Sequence, residues 1–453
     1  MTQQTPDFSV SAAHIEQWTA QLAGDARHRL AVNAVTSRGL NEATLNRDVV
    51  KRSNHVYSHW LKSNPATSQK QTGRCWLFAG LNLFRVEAIK RLEVEDFEFS
   101  QAHLMFWDKL EKANFFLESI IATAGEPLDG RLVQHLLVSP IQDGGQWDMF
   151  ANLIQKYGVV PKSVMPESFS SSHSVVMNNR ITARLREDAA TLRMRAAGGA
   201  SRAALADEKL AMLAEIHRML VVHLGEPPRS FEWQWRDKTD VFHRAGVLTP
   251  QDFFKRYVDY PLDALVCLVH DPMPDRPTNT VLTIDYLGNV IEGAPIRYLN
   301  VDLPVFKQAA LDMLVKQQEP VWFGCDVGKG QSREVGVLDL DVFDAALAYG
   351  FTERATKGER LSYGQSQMTH AMVLTGVDLD AARTPRKWRV ENSWGNDYGD
   401  KGYFAMTDRW MDEYCYEVLV RKEVLPADLM AALDMPARHL PPWDPMGALA
   451  ISV

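Results

Sequence analysis

A cysteine stands at the head of an amphipathic segment in the stretch Gln69-Lys70-Gln71-Thr72-Gly73-Arg74-Cys75-Trp76-Leu77-Phe78-Ala79-Gly80, and that placement constrains the chain more than any other. Leu77, Leu81, Phe84, Ala88 and Leu92 recur at three- and four-residue steps, the period of one helix face. Cys75, just after a glycine-containing turn, is therefore predicted at a helix N-terminus. Unpaired backbone N–H groups and the positive end of the helix dipole favour a thiolate there, and the thiolate is the nucleophile. The same residues allow a buried structural cysteine, and other parts of the chain must decide between the two.

With 453 residues, 46% of them hydrophobic, the chain can build cores for two or three domain-sized units. A net charge of −8 argues against a basic surface over the whole protein, so nucleic acid is not an expected partner. The four cysteines, at 75, 267, 325 and 415, form no C-x-x-C pair. Neither a zinc site nor a disulfide framework is indicated, no metal or cofactor is expected, and a reducing compartment fits. The Met1-Thr2-Gln3-Gln4 start lacks a basic region followed by an apolar core, and no charge-free apolar run reaches membrane-spanning length. A cytoplasmic protein with no membrane partner is the expectation.

Five stretches divide the chain. Residues 1–60 read as an N-terminal arm, in which Ser11 caps a short helix through Trp18 and Leu22. Residues 61–168 carry the Cys75 helix, a second helix capped by Ser100 and rich in aromatics, and the loop Gln142-Asp143-Gly144-Gly145-Gln146-Trp147. Paired glycines let another backbone approach, so Gly144 and Gly145 are expected to align an extended substrate; a plain surface turn is the alternative. Residues 169–260 form an inserted helical unit around Gly198-Gly199, with apolar faces marked by Ile181, Leu185 and Leu192, then Leu205, Leu213, Ile216, Leu220 and Leu224. Short apolar runs dominate 261–425 (264–269, 281–284, 321–325, 371–377 and 387–390), and read as strands. Residues 426–453 form a C-terminal arm.

Two of these strand-bounded segments bear on Cys75. His370 opens an apolar strand, and Asn392 sits between a strand and a glycine turn in Glu391-Asn392-Ser393-Trp394-Gly395. Together with Gln69 they form the ordered set glutamine, cysteine, histidine, asparagine, a nucleophile with its working partners. His370 takes the thiol proton and returns it to a leaving amine, while Asn392 orients the imidazole. Gln69 and the Cys75 backbone N–H are the expected oxyanion donors, and Trp394 is expected to keep water from the Asn392–His370 bond.

On these motifs the chain resembles the papain-like cysteine peptidases, and within them the bleomycin hydrolase and aminopeptidase C branch. The resemblance extends to the blocks 106–114, 143–149, 368–372, 388–395 and 443–450. His370 lies 295 residues beyond Cys75, against about 130 to 150 in the smaller secreted members, and the surplus is roughly the size of the insertion. The resemblance implies an α+β fold: a helical half with the cysteine and a twisted β half with the histidine and asparagine. It also implies a cytoplasmic homohexamer of thiol aminopeptidases that act on peptides with a free N-terminus and on the amide of bleomycin. A hexameric binding or scaffold protein with little peptidase activity is the alternative. In the family the C-terminal arm lies in the cleft, and its carboxylate holds the substrate amine. Here Ile451-Ser452-Val453 follow Ala450, the position matching the usual end, so trimming or folding back of these residues is expected.

Overall fold

The structure is a computed structural model and describes residues 9–62 and 64–450. Alternation of side chains in the second half of the chain builds a sheet with two buried faces. In the strand His370–Leu379, Ala371 and Val373 join the core shared with the helices of the first half, whereas Met372 and Leu374 join a second core on the opposite face. The neighbouring strand Val321–Cys325 divides the same way, with Trp322 on the first face and Val321, Phe323 and Cys325 on the second. A strand covered on both faces needs a near-continuous apolar run, which is what these segments have.

Across the sheet the order is Arg438–Leu440, Thr280–Ile284, Tyr298–Asn300, Leu265–Val269, Cys415–Arg421, Val321–Cys325, His370–Leu379, Pro385–Glu391, Tyr403–Thr407, Val337–Leu338 and Gln331–Ser332. His59–Trp60 pairs with His370–Leu379 beside this path. All five expected strands are present with ends shifted by a few residues. Cys415–Arg421 was not expected as a strand, yet it joins the two parts of the sheet, pairing with Leu265–Val269 on one side and Val321–Cys325 on the other.

The helices Cys75–Leu92, Gln101–Ala122 and Trp147–Tyr157 cover the first face, while Leu303–Asp312 and Asp408–Tyr414 serve the second. Ser100 caps Gln101–Ala122 by accepting the His103 N–H, and Ser11 caps Ala12–Ala23, both as expected. The insertion is an antiparallel pair, Val175–Ala197 and Arg202–Leu224, and its buried residues include Ile181, Leu185, Leu192, Leu205, Ile216, Leu220 and Leu224 from the expected apolar faces. After it comes a hairpin of Phe231–Arg236 and Phe242–Leu248, overlooked at the sequence level. Phe231, Trp233 and Trp235 alternate there with Glu232, Gln234 and Arg236, a period-two signal that was available.

Candidate active site

Cys75 is the first residue of its helix. Its thiol is buried and receives the backbone N–H of Ala371 at 3.5 Å, so the nucleophile helix meets the start of the histidine strand directly. On that strand His370 Nε2 lies 2.9 Å from Asn392 Oδ1. The Ser393 N–H donates to the same Oδ1 at 2.8 Å, which fixes that atom as the oxygen. Nε2 must then carry a proton, leaving Nδ1 as the imidazole's basic atom. Trp394 stacks obliquely beside the imidazole, ring centres 5.1 Å apart, and is itself braced edge-on by Phe404.

Gln69 is equally fixed. Its Oε1 accepts the Ser393 hydroxyl at 2.6 Å, and its Nε2 donates one proton to the Thr72 carbonyl at 2.5 Å, leaving the second amide proton for another acceptor. Ser393 thus ties the expected oxyanion donor to the residue that orients the imidazole. Its place between Asn392 and Trp394 was on view in the sequence, but the bridging role was not.

Two further sets of contacts brace the site, the first of them between the halves. Arg85 and Asn82, both on the nucleophile helix, bind the Glu391 carboxylate, the asparagine at 3.0 Å, so the residue before Asn392 is clamped to the helix of Cys75. Behind the cysteine, Asp143 accepts Lys109 Nζ at 2.6 Å, the Gly73 N–H at 3.1 Å, Asn178 Nδ2 at 2.8 Å and the Ser174 hydroxyl. Lys112 binds Asp108 at 2.7 Å and the carbonyls of Gln142 and Gly144. Burial pushes the Asp143 carboxyl up, but Lys109, Ser174 and Asn178 together outweigh it and hold it well below the usual range. In sequence the Gln101–Ala122 helix reads as aromatic core; Lys112 pairs with Asp108 one turn back, but the Lys109 carboxylate partner lies 34 residues on, in the loop.

That loop departs from expectation. Gly144 and Gly145 are buried, and the open cleft beside Cys75 is lined instead by Gln142 and Asp143 of the same loop. A Cβ on Gly145 would meet the Trp76 indole at 2.5 Å, so the close approach that glycine permits is to a side chain of the nucleophile helix.

The cleft encloses about 1020 Å³ and has Gln69, Cys75, His370 and Trp394 in its wall. Burial pushes the Cys75 thiol up to about 11 and the His370 imidazole down to about 4. The N–H groups of Ala371, on the strand, and Trp76, at the helix start, both favour the thiolate, but burial is the larger effect, so each group alone is neutral. A proton passed from Sγ to Nδ1 would leave opposite charges across the same cleft that stabilise each other, a gain neither group has by itself. Cys267, Cys325 and Cys415 are buried and free, as expected for 267 and 325, and burial raises all three thiols.

The C-terminal segment runs into the seam between the halves. Trp443 lies under the Arg131 guanidinium at 3.7 Å, Asp444 pairs with Arg276, and Pro445–Ala450 forms a short helical turn. The Met446 carbonyl accepts from Gln146 at 3.2 Å, and the Pro445 carbonyl accepts the Met368 N–H at 3.4 Å, two residues before His370. Ala450 ends the described turn, and Ile451 to Val453 lie outside the described residues.

With this geometry in hand, the model of the peptidase C1-like family matches residues 9–447. The chain belongs to that family. It is 47% identical over 418 residues to the aminopeptidase C of Listeria monocytogenes, covering 92% of this chain and 94% of that protein. It is 42% identical over 441 residues to the bleomycin hydrolase of Homo sapiens, covering 95% of this chain and 96% of the relative. The crystal structure of PepW from Lactobacillus rhamnosis HN001 superimposes with a TM-score of 0.95 at 43% identity, over 97% of this chain and 99% of that one. The protein is accordingly a papain-like α+β cysteine peptidase of the aminopeptidase C and bleomycin hydrolase branch. No described helix is long and apolar enough to cross a membrane.

Proposed function

We propose that this peptidase is a cytoplasmic thiol aminopeptidase that removes N-terminal residues through an acyl-enzyme on Cys75 and also opens bleomycin-like amides. In this reading His370 Nδ1 takes the Cys75 proton as Sγ attacks the carbonyl carbon. The developing oxyanion is met by the free amide proton of Gln69 and the backbone N–H of Cys75, the first turn of a helix whose N–H groups have no internal partner. His370 then gives the proton to the leaving amine, which carries away the rest of the peptide. Water, deprotonated by the same imidazole, releases the acyl group. Asn392 holds the ring through the 2.9 Å bond, and Trp394 covers one side of it.

The observation that carries the aminopeptidase reading is the seating of residues 443–450 beside Gln146 and Met368. In this reading the chain's own segment stands at the end of the substrate's path, so that a substrate terminus is admitted and a continuing chain is turned away. Ala450, at the end of that segment, marks the place where the substrate's α-amino group would be received. The test compares hydrolysis of aminoacyl fluorogenic amides and of N-blocked peptides by wild type, Cys75→Ala and a chain cut after Leu440. Wild type should cleave only the free-amine substrates and Cys75→Ala neither. The shortened chain should gain cleavage of the blocked peptides. Equal activity of Cys75→Ala and wild type would refute the nucleophile, and internal cleavage by the intact chain would refute the exopeptidase reading.

The same reading makes the protein a homohexamer. Supporting it, the helix Ala12–Ala23 buries no residue within the chain and leaves Ile15, Trp18 and Leu22 exposed. Sedimentation should return six chains, and a monomer at micromolar concentration would refute it.

A further inference from the structure

Arg333 lies in the wall of the same cleft, in the turn between the strands Gln331–Ser332 and Val337–Leu338. The Arg333 carbonyl accepts the Gly399 N–H at 3.2 Å, which fixes the turn against the loop that follows Trp394. Its guanidinium stacks on the Trp394 indole, 4.1 Å from the ring centre, and that indole also lies beside the imidazole of His370. Stacking occupies the flat face of a guanidinium and leaves its N–H edge free to grip a carboxylate with two parallel bonds. Among the described residues no carboxylate pairs with Arg333, although most arginines buried or half-buried around the site, Arg74, Arg85 and Arg276 among them, are paired. Lys70 lines the cleft as a second unpaired cation, and Asp397 is the unpaired acid of the same wall; Asp143 is already neutralised by Lys109.

The direction of the cleft gives this cation its meaning. The C-terminal segment enters beside Gln146 and Met368, so on the aminopeptidase reading, on which this step rests, the substrate's N-terminus points that way. The leaving peptide must then extend past His370 toward Trp394. Each extended residue spans about 3.3 to 3.6 Å, so a guanidinium one ring beyond the imidazole meets the first or second residue of the leaving peptide.

We propose that Arg333 forms a carboxylate-binding subsite for the leaving peptide, filled by the terminal carboxylate of a di- or tripeptide or by an acidic side chain at the same distance. The stack on Trp394 positions the guanidinium, and the Lys70 charge adds to the field. Short peptides are thereby preferred over long ones, and acidic leaving residues over basic ones.

The test measures kcat/KM for four matched substrates: a dipeptide, its C-terminal amide, and the amide carrying glutamate or lysine as the leaving residue. Wild type should favour free acid over amide, and glutamate over lysine, by about fivefold, a ratio that falls as salt is raised. Arg333→Gln should bring both ratios close to one, and Arg333→Lys, which keeps the charge and loses the fork, should restore part of them. Turnover with unchanged ratios in Arg333→Gln would overturn the subsite while leaving the aminopeptidase reading intact. No turnover of any free-amine substrate by wild type would overturn that reading and the subsite with it. If the acid-over-amide ratio responds to the variant and the glutamate-over-lysine ratio does not, the occupant is the chain terminus alone.

Discussion

Replacing Asp143 by alanine should be among the most damaging changes available outside the reacting groups. The carboxylate is buried and accepts four donors: Lys109 Nζ, the Gly73 N–H, Asn178 Nδ2 and the Ser174 hydroxyl. Its loss leaves the fully buried Lys109 ammonium with only the Gln142 carbonyl, at 2.7 Å. Breaking a buried pair by removing one partner costs about 3 to 5 kcal/mol, because an uncompensated charge remains. Urea unfolding followed by tryptophan fluorescence should therefore show a loss of that size. If the stranded charge is the cause, Asp143→Leu combined with Lys109→Met should recover a good part of it. The pH dependence has a definite sign. The folded carboxyl titrates below its unfolded value of about 3.9, so its contribution is complete above that pH and is lost as pH falls toward the folded value. The difference between wild type and Asp143→Ala should be level from about pH 8 to 5 and shrink below about pH 4. Since Gly73 lies two residues before Cys75, kcat/KM should also fall, by about 10- to 100-fold. A cost under about 1 kcal/mol, or equal losses in the single and double variants, would refute the reasoning.

Other perturbations probe separate parts of the site. Gln69→Ala should lower kcat by about 10²- to 10³-fold with little change in KM, and a change confined to KM would remove it from the oxyanion role. Burial and the nearby Arg333 both disfavour the imidazolium of His370, so kcat/KM should hold from neutral pH down to about 5 and fall as pH nears about 4; Arg333→Gln, which removes one of those effects, should move that acid limb upward. Gly145→Ala forces a methyl group into the Trp76 indole and should cost about 1 to 3 kcal/mol in denaturant unfolding, whereas a neutral outcome would return the glycine to a surface turn. Iodoacetamide on the native protein should label Cys75 alone, because Cys75 lines the cleft beside His370 whereas the other three thiols are packed in the sheet's cores; labelling at Cys267, Cys325 or Cys415 would contradict that.

Much of the site could be read before any coordinates, because its parts announce themselves locally. Cys75 heads a run with helical period, and His370 and Asn392 sit at the ends of apolar runs that have to be strands. The buried charges were not legible. Asp108 and Lys112 stand at helical pairing distance, but nothing in the sequence near Lys109 says that its partner is Asp143, or that Arg85 reaches Glu391 across more than 300 residues. Such pairings depend on which surfaces pack together, a tertiary property. The paired glycines illustrate the same limit. Their freedom to admit a close neighbour was evident, but which neighbour was not, and it is Trp76 for Gly145. The pull of the helix start on the Cys75 thiol is a local feature, while the degree of burial that opposes it is not.

The strand Cys415–Arg421 has a consequence for timing. It lies in the middle of the sheet although it is made almost last, so a chain emerging from the ribosome carries its histidine on a half-sheet with an open edge until residue 421 is out. The cysteine and its partners have all been synthesised by then, but the wall that aligns them has not closed. The segment seated beside Gln146 and Met368 follows within thirty residues, on the same stroke of synthesis. At about 5 to 20 residues per second, the interval between closing the sheet and delivering that last segment is a few seconds.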